Sequence, residues 1–225
     1  MENLPIYINI VFILTTLLTI LLLYKATNYS KPIIIILVLW LALQAVVSLT
    51  GFYKVTNTIP PRFALLLLPP LVFIVSIFFT KKGRSVTDGF NVQLLTLLHV
   101  VRIPVELCLY WLCLHRFVPA IMTFEGRNFD ILCGLTAPFV YYFGYLKNAL
   151  GRNVLIIWNI VCLLLLANVV VIATLSAPFP FQQFGFNQPN IALVYFPFVW
   201  LPCCVVPVVL FAHLVALKRL INKEA

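Results

Sequence analysis

Three ionisable residues, His99, Arg102 and Glu106, stand at intervals of three and four within one apolar run, FNVQLLTLLHVVRIPVELCLYWLCLH. At the helical repeat of 3.6 residues per turn they share one face. With the helix entering a bilayer at Phe90, Arg102 sits roughly 18 Å deep and Glu106 roughly 24 Å deep. An arginine at that depth costs about 2.5–3.5 kcal/mol on insertion scales, so it must face the bundle interior and find a partner. Glu106, one turn further on, is the nearest candidate in the sequence. The pair is either a structural ion pair or part of a polar site reached from outside by a proton, an ion or a small polar group.

A second concentration of chemistry lies in the connection 115–130, HRFVPAIMTFEGRNFD, where Glu125, Arg127, Asn128 and Asp130 crowd beside Gly126. Two carboxyl groups near an interface can act as acid and base when their surroundings differ. Glu106, Glu125 and Asp130 are therefore the candidate catalytic groups, with His99, Arg102, Arg127 and Asn128 as binding groups. The basic residues there, Arg116 included, could equally hold a lipid phosphate.

The connection 176–197, SAPFPFQQFGFNQPNIALVYFP, carries no charge and alternates aromatic rings with amides. Such a segment suits the headgroup region, as an interfacial collar or as a lid whose Gln188 and Asn190 contact a substrate. Asn159, about 10 Å above the inner edge of its run, is a further binding candidate at matching depth. Gln44 and Asn168 could join it, although amides between membrane helices commonly act as packing glue worth about 0.6 kcal/mol.

Metal and haem chemistry find little support. By the same count His213 lies roughly 6 Å and His99 roughly 14 Å from the inner side, and no His-x-x-x-His or Cys-x-x-Cys spacing accompanies them. No metal or other cofactor is expected. The six cysteines fall in or beside apolar runs and read as packing residues, with Cys113 and Cys133 the one pair worth testing for a disulfide. A retinal Schiff base would need a lysine midway along the last run, which has none before Lys218.

These groups need elements to hold them, and composition says what the elements are. Of 225 residues, 63% are apolar and 9% charged, against about 45–50% and about 25% in soluble domains. Seven near-continuous apolar runs, about 5–24, 32–53, 63–80, 90–114, 131–149, 153–175 and 196–217, each approach the roughly 20 residues that a bilayer core demands. They lack period-two alternation, which excludes a membrane β-barrel. The expected fold is all-α, a single polytopic bundle of seven transmembrane helices over residues 1–225, with prolines 69, 70, 104, 138, 202 and 207 freeing backbone carbonyls for other partners.

Orientation follows from the basic residues. Lys25, Lys31, Lys81, Lys82, Arg84, Lys147, Arg152, Lys218, Arg219 and Lys223 fall on one side, and Lys54, Arg62, Arg116 and Arg127 on the other. That bias places the carboxyl terminus in the cytoplasm and the amino terminus outside, in a plasma or bacterial inner membrane. The net charge of +9 is thus spent on short turns, with no patch of the kind that tracks nucleic acid. The expected partners are membrane lipids and a small amphiphilic or polar ligand. Three functions suit this pattern: an enzyme acting on a lipid or amphiphile, a proton- or ion-coupled transporter or channel component, and a non-catalytic subunit whose polar groups pair internally.

Overall fold

The computed structural model describes residues 4–56, 58 and 61–222, so Lys223 lies outside the described residues. All regular structure in them is helical: α1 (Ile6–Ala26), α2 (Lys31–Leu49), α3 (Ala64–Phe79), α4 (Lys81–Asp88), α5 (Val92–Leu98), α6 (Arg102–Leu114), α7 (Ile131–Phe139), α8 (Arg152–Leu175) and α9 (Val206–Ile221). Every one of the seven apolar runs coincides with a helix. Five of these, α1, α2, α5 continued through α6 (Val92–Leu114), α8, and α9 with its lead-in turn (Leu201–Ile221), are long and apolar enough to cross a membrane.

The other two runs differ from the simple expectation. α3 turns by 90° into α4, so the pair makes one further crossing only if both are counted together. α7 continues as a wider π-type turn over Val140–Leu146, giving an apolar helix, Ile131–Leu146, shorter than the five. The surface of the bundle suits hydrocarbon. Ile35, Ile36, Leu39, Leu43 and Val46 of α2 and Leu68, Val72, Phe73 and Val75 of α3 are all exposed, a density that water would not tolerate on a monomer. The fold is therefore consistent with a helical membrane bundle.

Prolines act as expected on the helices that carry polar groups. Pro104 lacks the N–H that would bond the Val100 carbonyl, and the chain tightens into a 3-10 turn, His99–Val101, just before it. Pro207 likewise leaves the Cys203 carbonyl without its helical donor. The Trp40 indole fills that place at 2.9 Å, while Trp200 returns a bond to Leu41 O at 3.0 Å. A backbone defect thus becomes the cross-link between α2 and the last helix.

The two ends of the bundle are built differently. At one, Lys218 donates to Arg84 O, Thr87 Oγ1 and Asp88 Oδ1, Arg219 donates to Asp88 O, and Arg152 caps the last carbonyls of α9, Leu220 O at 2.5 Å and Ile221 O at 2.8 Å. We call this the basic end. At the other, the loop end, the connections 115–130 and 176–197 interleave, with the N–H groups of Ile191 and Ala192 both donating to Phe117 O.

Close approach fixes the helices around the polar residues. A methyl on Gly134 of α7 would lie 2.8 Å from Ile103 Cγ1 and 3.0 Å from the Ile103 backbone nitrogen, whereas one on Gly151 meets nothing within 4 Å. Gly134→Ala should therefore destabilise the protein by about 1–3 kcal/mol. Gly151→Ala should not, and thermal unfolding of the two variants in detergent checks the contrast; equal midpoints would contradict the close packing of α6 on α7.

Candidate functional site

Arg102 opens α6 with 3% of its surface exposed and reaches three segments at once. Its Nη1 donates to Asp130 Oδ1 at 3.0 Å and to the Cys162 carbonyl of α8 at 3.4 Å. Its Nη2 lies 3.0 Å from His213 Nε2 of α9. A guanidinium has donors only, so His213 Nε2 must accept. The proton of a neutral His213 then belongs on Nδ1, which lies 2.9 Å from Asn159 Oδ1, and the Asn159 amide passes its own proton to Leu155 O at 2.9 Å. The direction of each bond in this chain of contacts follows from the arginine.

Glu106 is part of the same cluster but not of the ion pair. The expected Arg102–Glu106 pairing is replaced by Arg102–Asp130, with side chains only 3% and 7% exposed. The long guanidinium stem reaches sideways to the loop instead of up its own helix. Glu106, 1% exposed, accepts instead from Asn128 Nδ2, at 2.7 Å and 2.8 Å to its two oxygens. Asn128 also donates to Met122 O at 2.9 Å and accepts the Asp130 backbone N–H at 3.0 Å, so one amide links Glu106 to the backbone at Asp130.

The two acids line one cleft. It lies between α3, α6, α8 and the start of the last helix, with about 50 Å³ of room inside. Apart from Glu106, Asp130 and Thr174 its walls are apolar, among them Leu67, Leu109, Val170 and Pro202. Met122 of the first loop and Leu193 of the second close it toward the loop end. A concave, mostly apolar lining with a few converging polar groups is the usual form of small-molecule sites.

Below the ion pair the histidines meet. The His99 and His213 rings stack with centroids 3.8 Å apart and planes at 16°, with Trp158 edge-on to His99 at 5.6 Å. The sequence count put them about 8 Å apart in depth because it ended the last run at residue 217. α9 in fact extends to Ile221, one turn further, which lowers its edge and sets His213 level with His99. His213 is the site residue that the sequence reasoning undervalued. The signal was present in Lys218 and Arg219, whose apolar stems let a helix continue past its apparent polar end. Both ring nitrogens of His99 and Nε of Arg102 have no hydrogen-bond partner among the described residues. No group of three His, Cys, Asp or Glu residues there is placed to hold a metal ion.

The remaining candidates are held elsewhere. Glu125 and Arg127 are exposed and outside the cluster, the Arg127 carbonyl accepting from Asn168 Nδ2 at 2.8 Å. Gln188 staples the second loop to the first, donating to Cys113 O at 2.9 Å and Val118 O at 2.5 Å. Asn190 ties the same loop to Ala173 O at 3.0 Å. Cys113 does not approach Cys133. All six cysteines are free thiols.

The ion pair generates a stability prediction. Asp130→Ala leaves a buried guanidinium without its counter-charge and should cost about 3–5 kcal/mol. The double variant Arg102→Met with Asp130→Ala should recover part of that loss, because it removes both charges together. Chemical denaturation of the single and double variants in mixed micelles measures the coupling, and strict additivity would contradict the pairing.

Comparison with known proteins adds the family. No curated protein and no solved structure matches this chain. A family model described as Domain of unknown function (DUF8737) matches residues 59–221, which include Glu106, Asn128, Asp130 and every residue bonded to Arg102. With that model covering well over half of its length, the chain belongs to the DUF8737 family.

Proposed function

We propose that this chain is a seven-helix integral membrane protein that takes an amphiphile or lipid from the outer leaflet into the cleft and works on it by acid/base chemistry at Glu106 and Asp130. The bent pair α3–α4 and the short helix Ile131–Leu146 supply the sixth and seventh crossings in this reading. The gathering of α4, Arg152, Lys218 and Arg219 at one end supports a cytoplasmic basic end, in a plasma or bacterial inner membrane.

The observation that carries the reading is the convergence of two carboxyl groups, from different segments, on one otherwise apolar cleft. Such walls favour an acyl or isoprenoid body and exclude water, which strengthens the electrostatics of the acids at the floor. Their partners separate their roles. Asp130, bonded to a guanidinium, is suited to hold negative charge against the ligand. Glu106 has only a neutral amide donor and is suited to exchange a proton with the ligand.

Glu106→Gln and Asp130→Asn should each lower turnover by about 10²–10⁴-fold, the usual contribution of a general acid or base. Glu125→Gln should keep full activity, since the exposed Glu125 faces none of these groups. The measurement is product formation by mass spectrometry from a panel of glycerophospholipids and isoprenoid phosphates in mixed micelles, with circular dichroism to confirm folding. Retained activity in Glu106→Gln removes this reading.

One observation favours a second reading, proton-coupled transport. From Glu106 through Asn128, Asp130, Arg102 and His213 to Asn159, polar groups run unbroken from the cleft toward the basic end, with His99 stacked at the lower part. Proteoliposomes enclosing a pH-sensitive dye should then show proton uptake that His213→Phe abolishes. Uptake equal to that of empty vesicles excludes transport.

A further inference from the structure

A second cavity, with about 80 Å³ of room inside, lies at the loop end between the turn Phe52–Lys54 and the connection 176–197. Its walls include Tyr53, Lys54, Phe63, Phe179 and Asn190. Phe63 and Phe179 pack ring to ring at 5.9 Å, and Phe63 is also a wall of the cleft that holds Glu106 and Asp130.

Asn190 is the informative residue in this wall. It is 3% exposed, its backbone N–H donates to Ser176 O at 2.8 Å, and its Nδ2 donates to Ala173 O at 3.0 Å. Its Oδ1 has no donor among the described residues, and neither does the Oγ of the adjoining Ser176 have a partner. Turning the amide over would set Oδ1 against the Ala173 carbonyl, so the open acceptor is dictated by the chemistry of its neighbour. Buried acceptors are almost always satisfied, and this one is held in place by two other bonds. An acceptor for a ligand's donor therefore stands in this wall.

Lys54 is exposed at the rim with Nζ 4.4 Å from the centre of the Tyr195 ring, and no carboxylate is among the wall residues. Arg62 nearby is held in the same manner, 4.5 Å from the Phe52 ring centre and donating to Phe52 O at 3.3 Å. The loop end thus presents cations braced on aromatic faces and free to meet a ligand charge.

We propose that this cavity binds the head of an anionic lipid whose phosphate pairs with Lys54 and whose headgroup hydroxyl donates to Asn190 Oδ1. The rings of Phe63 and Phe179 receive the apolar part next to the head. This assignment stands on the loop-end cavity alone and does not depend on chemistry at Glu106 and Asp130.

Three dioctanoyl lipids separate the contributions in protein purified in a maltoside detergent, with binding read from native mass spectrometry. Phosphatidylglycerol carries the charge and the hydroxyl, phosphatidylmethanol the charge alone, and phosphatidylcholine neither a net charge nor a donor. Phosphatidylglycerol should bind about three- to tenfold more tightly than phosphatidylmethanol, the range of one net hydrogen bond, and phosphatidylmethanol more tightly than phosphatidylcholine. Asn190→Ala should erase the first preference and Lys54→Gln the second. Lys54 is exposed, so its variant tests the site even where loss of the Ala173 bond prevents Asn190→Ala from folding. Equal affinities of the wild type for the three lipids overturn the proposal, as do preferences unchanged in the variants. Glycerol 3-phosphate binding as tightly as phosphatidylglycerol would identify a soluble phosphate ester as the ligand and overturn the lipid assignment. Loss of catalysis in Glu106→Gln with these preferences intact, or the reverse, separates this site from the cleft.

Discussion

One guanidinium sets the arrangement of the bundle. Arg102 donates to a loop carboxylate, to the Cys162 carbonyl of α8 and to the imidazole of α9, each from a different direction. Charge in a dry interior is tolerated only when its hydrogen bonds are met with good geometry. That requirement fixes the relative positions of four segments far apart in the chain. It explains the buried Gly134, which lets α7 press against the backbone at Ile103 and carry Asp130 within reach. It also sets the His213 tautomer, since a partner that can only donate leaves the imidazole no choice.

The cleft is a consequence of the same constraint. With Asp130 committed to Arg102, Glu106 is left one turn higher with a neutral donor, and Asn128 holds the Glu106 carboxyl group with its amide nitrogen and the Asp130 backbone N–H with its oxygen. A carboxyl group so placed, among leucine and valine walls, interacts with a bound group far more strongly than it would in water. The loops over the cleft are themselves pinned, through Gln188 to Cys113 and Val118 and through Asn190 to Ala173. The connection 176–197, read from the sequence as an interfacial collar or a lid, is thus tied down at Gln188 and Asn190, and its Leu193 joins Met122 in the wall of the cleft.

Much of this was legible in the sequence, because helical periodicity is a strong signal in apolar runs. The shared inward face of His99, Arg102 and Glu106 follows from their spacing, and all three are buried. The freed carbonyl below Pro207 also follows from covalent chemistry, although nothing local indicates that Trp40 would fill it. Partner choice was hidden for a different reason. Sequence proximity favoured Glu106 for Arg102, but a long side chain at a helix base reaches across the bundle, and Asp130 comes within range only once α7 is packed. Depth failed similarly at His213. Counting from an assumed edge carries an error of a whole turn where Lys218 and Arg219 extend the helix, and one turn is the difference between separated and stacked histidines.

The part of the chain outside the family match, α1 and α2, bears on the site through what it withholds. α1 lies against α5 and α6, yet its buried Thr15, Thr16 and Thr19 all turn their hydroxyls back to carbonyls four residues earlier on their own helix. They fill polar space beside the site helices without offering a competing donor to Glu106. α2 behaves alike, its Gln44 engaged by the Tyr53 phenol at 2.5 Å and its Ser48 by Val194 O at 2.9 Å. Any stray donor beside Arg102, Asn128 and the two acids would create an alternative pairing of similar energy. α1 satisfies its threonines on its own helix and α2 directs its polar groups to Tyr53, Val194 and Cys203, so these groups bond away from the two acids.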